Sequence, residues 1–306
     1  MRKVEDFRIA KNASVDDLVR QMEASGGFTS KKIGVATEIL ETMISDKRCF
    51  NFLSFPADII ATGARGIIKE FLKKKWFDAV ITTCGTLDHD IARNFADYYH
   101  GDFFMDDSKL RKSGINRLGN VLVPDASYGI MIENKMREIL QRLHKTKSEF
   151  STHELCWEIG KRLGKESLLF WAEKNRIPVI IPGITDGAVG YQIWSFSQDH
   201  NFKINVLADE QLLSDLVWNN KKTGALIVGG GISKHHTLWW NQFKGGLNHV
   251  VYISTAVEYD GSLSGARPRE AVSWGKINAK AKHVLIEEDA TVALPLIYAA
   301  LNQRMR

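Results

Sequence analysis

Ala225-Leu-Ile-Val-Gly-Gly-Gly231 is a short apolar run that stops on three glycines, and the run is one of a series. Cys49-Phe-Asn-Phe-Leu-Ser-Phe55 leads into Asp58-Ile-Ile-Ala-Thr-Gly63 and the amphipathic segment that begins at Ile67. Asp78-Ala-Val-Ile-Thr-Thr83 runs into Cys84-Gly85-Thr86, and Pro178-Val-Ile-Ile-Pro182 precedes Thr185-Asp186-Gly187. Ile204-Asn-Val-Leu207 precedes a helical pattern expected from about Asp209 to Trp218. His249-Val-Val-Tyr-Ile-Ser254 precedes Thr255-Ala256, and Val284-Leu-Ile286 precedes Asp289-Ala290-Thr291. Strands that are apolar on both faces and alternate with helices predict a parallel sheet covered by helices on both sides.

The expected class is therefore α/β, a doubly wound, mostly parallel sheet flanked by helices in the Rossmann-like manner, with an N-terminal helical extension over residues 1–45. No linker or internal repeat divides the 306 residues, so one domain is expected over 1–306. The polar stretch Lys145–Glu154 is a place where an N-terminal lobe could end.

With 44% hydrophobic and 25% charged residues, the composition argues against a disordered or fibrous chain. Three cysteines (Cys49, Cys84 and Cys156) stand far apart, without a CxxC pair or a disulfide framework, which points to a reducing compartment. The N-terminus lacks the apolar core of a signal peptide, and no stretch approaches the roughly 18–20 apolar residues of a membrane span. A cytoplasmic protein with no membrane partner is expected. The net charge is +5, but basic and acidic residues are mixed along the helices. The densest basic run, Lys73-Lys74-Lys75, closes a helical pattern, where positive charge suits the helix dipole, so no nucleic-acid partner is expected.

In an open parallel sheet, ligands bind beyond the carboxyl ends of the strands. The loops there carry Thr83-Cys84-Gly85, Thr185-Asp186-Gly187, Gly229-Gly230-Gly231 with Lys234-His235-His236, Thr255-Ala256 and Asp289. The triple glycine lacks the GxGxxG spacing and by itself is equally well read as a tight turn. Adjacent His235 and His236 point about 100° apart on a helix, so they seldom share one metal ion, and no metal site is expected. A histidine that contacts substrate and a histidine that merely starts a helix both fit that position.

The longest unusual run is Glu258-Tyr-Asp-Gly-Ser-Leu-Ser-Gly-Ala-Arg-Pro-Arg-Glu-Ala-Val-Ser-Trp-Gly-Lys276. Its glycines, serines and acids make little core, and long ordered loops of this kind often carry function. A lysine amine attacks carbonyl or imine carbon once burial favours its neutral form, and Trp274 offers an apolar wall or a cation–π face. On local sequence alone, Lys276 reads more readily as a surface lysine at the start of a strand.

The segments GGGISKHH, ISTAVEYDGSLSGARPREAVSWGKI, DATVALPL, LRKSGINRLGNVLVP, FWAEKNRIPVIIPGITDG and TTCGTLDHD resemble deoxyhypusine synthase, in the manner of an archaeal-type member. The resemblance runs from about Cys49 to the C-terminus, and EAVSWGK is its most specific part. It implies a transferase that uses NAD to dehydrogenate spermidine and carries the aminobutyl group as an imine on an enzyme lysine. The group then passes to a lysine of the initiation factor 5A precursor, forming deoxyhypusine. The family lysine falls on Lys276, and His235 falls on a polyamine-contacting histidine that assists proton transfer. Trp274 and Glu270 fall on the aromatic wall and an amine-binding carboxylate, and Gly261, Ser262, Asp88 and His89 join the expected substrate set. The implied NAD contacts are Thr83, Cys84, Gly85, Asp186, Gly230, Thr255, Ala256, Asp289 and Ala290, with the Ala57–Ala61 turn beside them. A homotetramer is implied as well.

Two polyamine-binding aspartates of eukaryotic members are replaced by Tyr191 and Leu263, and His89 stands at a third acidic position. Either other groups hold the same spermidine, or the amine donor differs, agmatine being one choice. Two rival readings remain open: a relative that passes the aminobutyl group to a free amine, as homospermidine synthase does, and a catalytically silent NAD-binding or assembly subunit.

Overall fold

Apolar runs bounded by glycine and proline set where the chain extends, and capping residues set where it coils. The computed structural model describes residues 1–305. These divide into two units, one of residues 1–55, 76–78 and 213–306 and the other of residues 56–75 and 79–212.

The first unit opens with α1 (Val15–Ala24) and α2 (Phe28–Ser45). Ser14 starts α1 as a capping box: its hydroxyl accepts from the Asp17 N–H and the Asp17 carboxylate accepts from the Ser14 N–H. Four strands follow along the chain, β1 (Cys49–Ser54), β9 (Lys222–Val228), β10 (Leu247–Ile253) and β11 (Ile277–Ile286). They lie in the order β11-β10-β9-β1, every pair parallel, with Leu53 opposite Leu226, Leu226 opposite Val251 and Tyr252 opposite Leu285. Register slips once: Leu247 faces Ile277 but His249 faces Lys282, so residues 278–281 bulge from the ladder. Helices α11 (Gly231–Asn241), α12 (Pro268–Ser273) and α13 (Ala290–Arg304) complete the unit. Phe52, Leu53, Leu226, Val250 and Val251 are fully buried, as strands covered on both faces require.

In the second unit β2 (Ala79–Ile81) pairs in parallel with β7 (Val179–Ile180). Around them stand α3 (Ala64–Lys73), α4 (Cys84–Phe95), α6 (Gly129–His144), α7 (Thr152–Gly160), α8 (Leu168–Lys174) and α9 (Ala188–Asp199). Two short strands, β6 (Glu149–Phe150) and β8 (Lys203–Ile204), pair in parallel. An antiparallel sheet in the order β3-β5-β4 (Tyr99–His100, Val121–Pro124, Ile115–Leu118) follows α4, with the short α5 (Asp107–Lys112) between its first two chain segments. The sequence reading did not foresee this sheet. The α/β class with parallel strands flanked by helices is the one the sequence predicted.

Boundaries differ in one instructive place. Val206 and Leu207 were expected to extend a strand, yet they open α10 (Val206–Asn219), which crosses from one unit to the other. Asn205 explains the change, because its side-chain oxygen accepts the Ala208 N–H as a helix cap does. Among the described residues no helix is long and apolar enough to cross a membrane.

Candidate active site

Lys276 does not sit at the carboxyl end of the sheet. It immediately precedes β11, its carbonyl accepting from Leu247 N–H and its own N–H donating to the Ala271 carbonyl. Gly275, at φ +69°, makes the left-handed turn between α12 and that strand. The short α12 thus returns the chain along the face of the sheet, and a cavity of about 580 Å³ opens between this segment and α11.

The cavity gathers Lys276, His235, Glu270, Trp274 and Ser262 from the predicted site, together with Lys234, Tyr252 and Leu263. Gly261 is exposed and does not line it. The Lys276 ammonium lies 5.3 Å from the centroid of the Trp274 ring, and His235 stacks on Trp239 with centroids 5.9 Å apart. Burial, then the charges of Lys276 and His236, holds the His235 imidazole below its usual range. A neutral imidazole can take up a proton near neutral pH.

The floor is polar in an unexpected way. Tyr252 is 2% exposed, burial raises its phenol above the ordinary value, and its hydroxyl has no hydrogen-bond partner among the described residues. Lys234 lies with its ammonium 4.7 Å from the Tyr252 ring centroid and donates to the carbonyls of Leu263, Ser264 and Ala266. The loop carrying those carbonyls packs closely: a Cβ on Gly265 would lie 2.0 Å from the Val257 oxygen, and one on Gly230 would lie 2.3 Å from Ser264 Oγ. Its outer side is tied by ion pairs of Arg267 with Glu258 and Glu287 and of Arg269 with Glu258.

The remaining predicted positions fall in both units. In the first, Gly230, Thr255, Ala256 and Asp289 follow the carboxyl ends of the neighbouring strands β9, β10 and β11. Asp289 caps α13 by accepting from the Thr291 N–H, with Ala290 as the first helical residue. In the second, Thr83, Cys84 and Gly85 follow β2 and Asp186 follows its partner β7. Helices α4 and α11 start without a side-chain cap, and at α4 the Thr86 N–H donates to the Thr83 carbonyl. The Cys84 thiol is buried, and burial raises it well above its usual range. Among the described residues no group of three or more His, Cys, Asp or Glu could hold a metal ion.

Asp88 and His89 are buried on α4. Asp88 accepts from the Tyr128 hydroxyl at 2.9 Å and from the N–H groups of Ala188 and Val189, so it caps α9. Burial raises its carboxyl despite those donors. His89 Nδ1 shares a hydrogen bond with the Tyr98 hydroxyl at 3.0 Å, and burial lowers the imidazole to about 4. Two residues on, Asp90 does for α8 what Asp88 does for α9, accepting from Leu168 and Leu169 N–H while paired with Arg65 at 2.8 Å. Tyr191 and Leu263 are both exposed, and only Leu263 lines the Lys276 cavity.

The model of the family described as deoxyhypusine synthase matches residues 17–301, nearly the whole chain. The chain belongs to the deoxyhypusine synthase family. It is 57% identical over 298 residues to the probable deoxyhypusine synthase of Picrophilus torridus, covering 97% of this chain and 96% of that one. The corresponding protein of Thermoplasma acidophilum is 53% identical over 300 residues, with coverages of 97% and 96%. Among solved structures, a deoxyhypusine synthase candidate from Entamoeba histolytica aligns with a TM-score of 0.67 at 20% identity, over 97% of this chain and 96% of that one. At that identity the structural likeness speaks for the fold alone.

For a deoxyhypusine synthase-family transferase, two cavity residues were missed as site residues. Lys234 was visible inside GGGISKHH but drew no role of its own, and Tyr252 read only as a strand residue. The signal for Tyr252 was a phenol hydroxyl inside the buried apolar run Val250–Ile253.

Proposed function

We propose that this chain performs NAD-dependent transfer of an aminobutyl group from spermidine, through an imine on Lys276, to a lysine of the initiation factor 5A precursor. The observation that carries the reading is the grouping of Lys276, His235, Glu270 and Trp274 around one cavity in a chain of this family. Bound NAD would accept a hydride from the substrate carbon next to the secondary amine and later return it. Gly230, Thr255, Ala256, Asp289 and Ala290, which follow the carboxyl ends of β9, β10 and β11, are the proposed contacts within the first unit. The start of α11, which has no side-chain cap, suits its phosphates.

Once the substrate carbon is an imine, Lys276 adds to it and the propyl diamine leaves, so the aminobutyl group remains on Nζ. His235, held neutral, accepts the proton that Lys276 sheds. Glu270 pairs with the terminal ammonium of the chain, and Trp274 supplies a face for its methylenes and charge. The acceptor lysine then adds to the same carbon and Lys276 leaves as a free amine, so the aminobutyl group passes to the acceptor as an imine. A homotetramer is part of the proposal, as is a reducing cytoplasmic setting, which the three buried free cysteines support.

Incubation with NAD and spermidine labelled in its butyl arm, with factor 5A precursor in one arm and putrescine in the other, tests the reading. Label in the protein acceptor supports it; label found only in small polyamine assigns the chain to free-amine transfer instead.

A further inference from the structure

We propose that Lys234 is a positioning residue for this reaction: it holds the Leu263–Ala266 turn closed over the cavity where Lys276 works, and so sets how tightly the amine is bound. The inference rests on the reading of Lys276 given above.

An ammonium group has three N–H donors, and Lys234 spends all of them on one turn. Its Nζ lies 3.3 Å from the Leu263 oxygen and 3.1 Å from those of Ser264 and Ala266. The residue is 7% exposed, a depth at which an unpartnered charge would be costly. On its other side the Tyr252 ring backs the cation at 4.7 Å. The turn needs such a hold, because Leu263 adopts φ +61°, a left-handed backbone that leucine seldom takes. Leu263 and Ala266 line the cavity, and the chain then runs straight through Arg267 into the helix that carries Glu270. Release of the turn would therefore disturb the wall and the amine-binding carboxylate together.

Burial alone would nominate Lys234 as a second nucleophile, since burial lowers it to about 8. Geometry decides otherwise. With every donor directed at a backbone carbonyl, no lone pair faces the substrate, whereas the Lys276 ammonium stands over the face of Trp274.

The test compares wild type with Lys234→Met, which keeps the length and loses the charge. With NAD and spermidine, the Met variant should need at least about tenfold more amine for half-maximal borohydride trapping on Lys276, as expected for losing charge-assisted bonds. The yield at saturating amine should stay within about threefold of wild type. Hydrogen exchange at residues 257–266 should quicken by about tenfold or more while strand amides keep their protection. An unchanged amine requirement and unchanged exchange, with a normal wild-type adduct, overturn the inference and leave the proposed function standing. Wild type without any adduct overturns the proposed function, while the exchange result still judges the clamp. Adduct found on Lys234 overturns both.

If the Met variant does not fold, the wild-type protein supplies the answer. The titratable groups facing Lys234 are Glu270 on α12, whose charge favours the ammonium, and Tyr252 on β10. Between pH 7 and 9.5 the amides of 257–266, corrected for intrinsic exchange, should lose protection relative to β9 and β10. Equal behaviour of loop and strands overturns the inference.

Discussion

The ammonium of Lys276 lies 5.3 Å from the centroid of the Trp274 ring, and the single residue between them is a glycine in the left-handed region. Trp274 is 66% exposed, so its ring forms the outer wall of the cavity and is not part of the core. An aromatic face at such a site contributes about 0.5–1 kcal/mol to holding a cation. Trp274→Ala should raise the KM for the amine about two- to fivefold with little change in thermal stability. Steady-state kinetics beside a melting curve check this.

His235 should govern the acid side of the pH–rate profile. Its lowered value means that the imidazole remains unprotonated below the ordinary histidine pKa near 6.5, so activity persists under that pH and falls only further into acid. Replacement by Ala should cost about 10²-fold or more in turnover and remove that acid limb. A profile of kcat/KM against pH for both proteins measures it.

The loop's seat can be tested at a backbone atom. A Cβ on Gly265 would lie 2.0 Å from the Val257 carbonyl oxygen and 2.5 Å from that of Ala256, so neither neighbour can yield by moving a side chain. Gly265→Ala should displace the 257–266 loop, raise the amine KM at least about tenfold, and leave far-ultraviolet dichroism unchanged. Circular dichroism and kinetics on one preparation give the outcome.

His89 makes a stability prediction with a definite sign. Its folded value of about 4 lies below the ordinary 6.5, so the unfolded chain binds more protons between those values and stability falls as pH drops from 6.5 toward 4. The contribution reaches about 3 kcal/mol at most over that window. His89→Gln, which can still meet the Tyr98 hydroxyl, should flatten this part of the curve in urea unfolding at stepped pH.

Much of this was written in the sequence. The strands at Ala225, Val250 and Val80 announced themselves because a strand buried on both faces cannot hide its apolar run. The site was legible only where chemistry is carried by a contiguous segment: Glu270, Trp274 and Lys276 stand within seven residues. His235 joins them because α12 runs back along the sheet, which no local pattern encodes. Lys234 was unreadable for a different reason, since its partners are main-chain carbonyls and carbonyls have no sequence signature. Asp88 was read as a substrate residue and Asp90 drew no role; in the fold each accepts from the first N–H groups of a helix about 80 to 100 residues downstream. The antiparallel β4–β5 hairpin had a visible signal in Gly119-Asn120, a two-residue turn between two short runs, that was passed over.

The most direct test of the central claim is borohydride reduction of the enzyme with NAD and spermidine, followed by peptide mapping. An aminobutyl mass increase on the peptide containing Lys276, absent from Lys276→Arg, is the predicted result. Full-length protein without any added mass, or with the mass on Lys234, would contradict it.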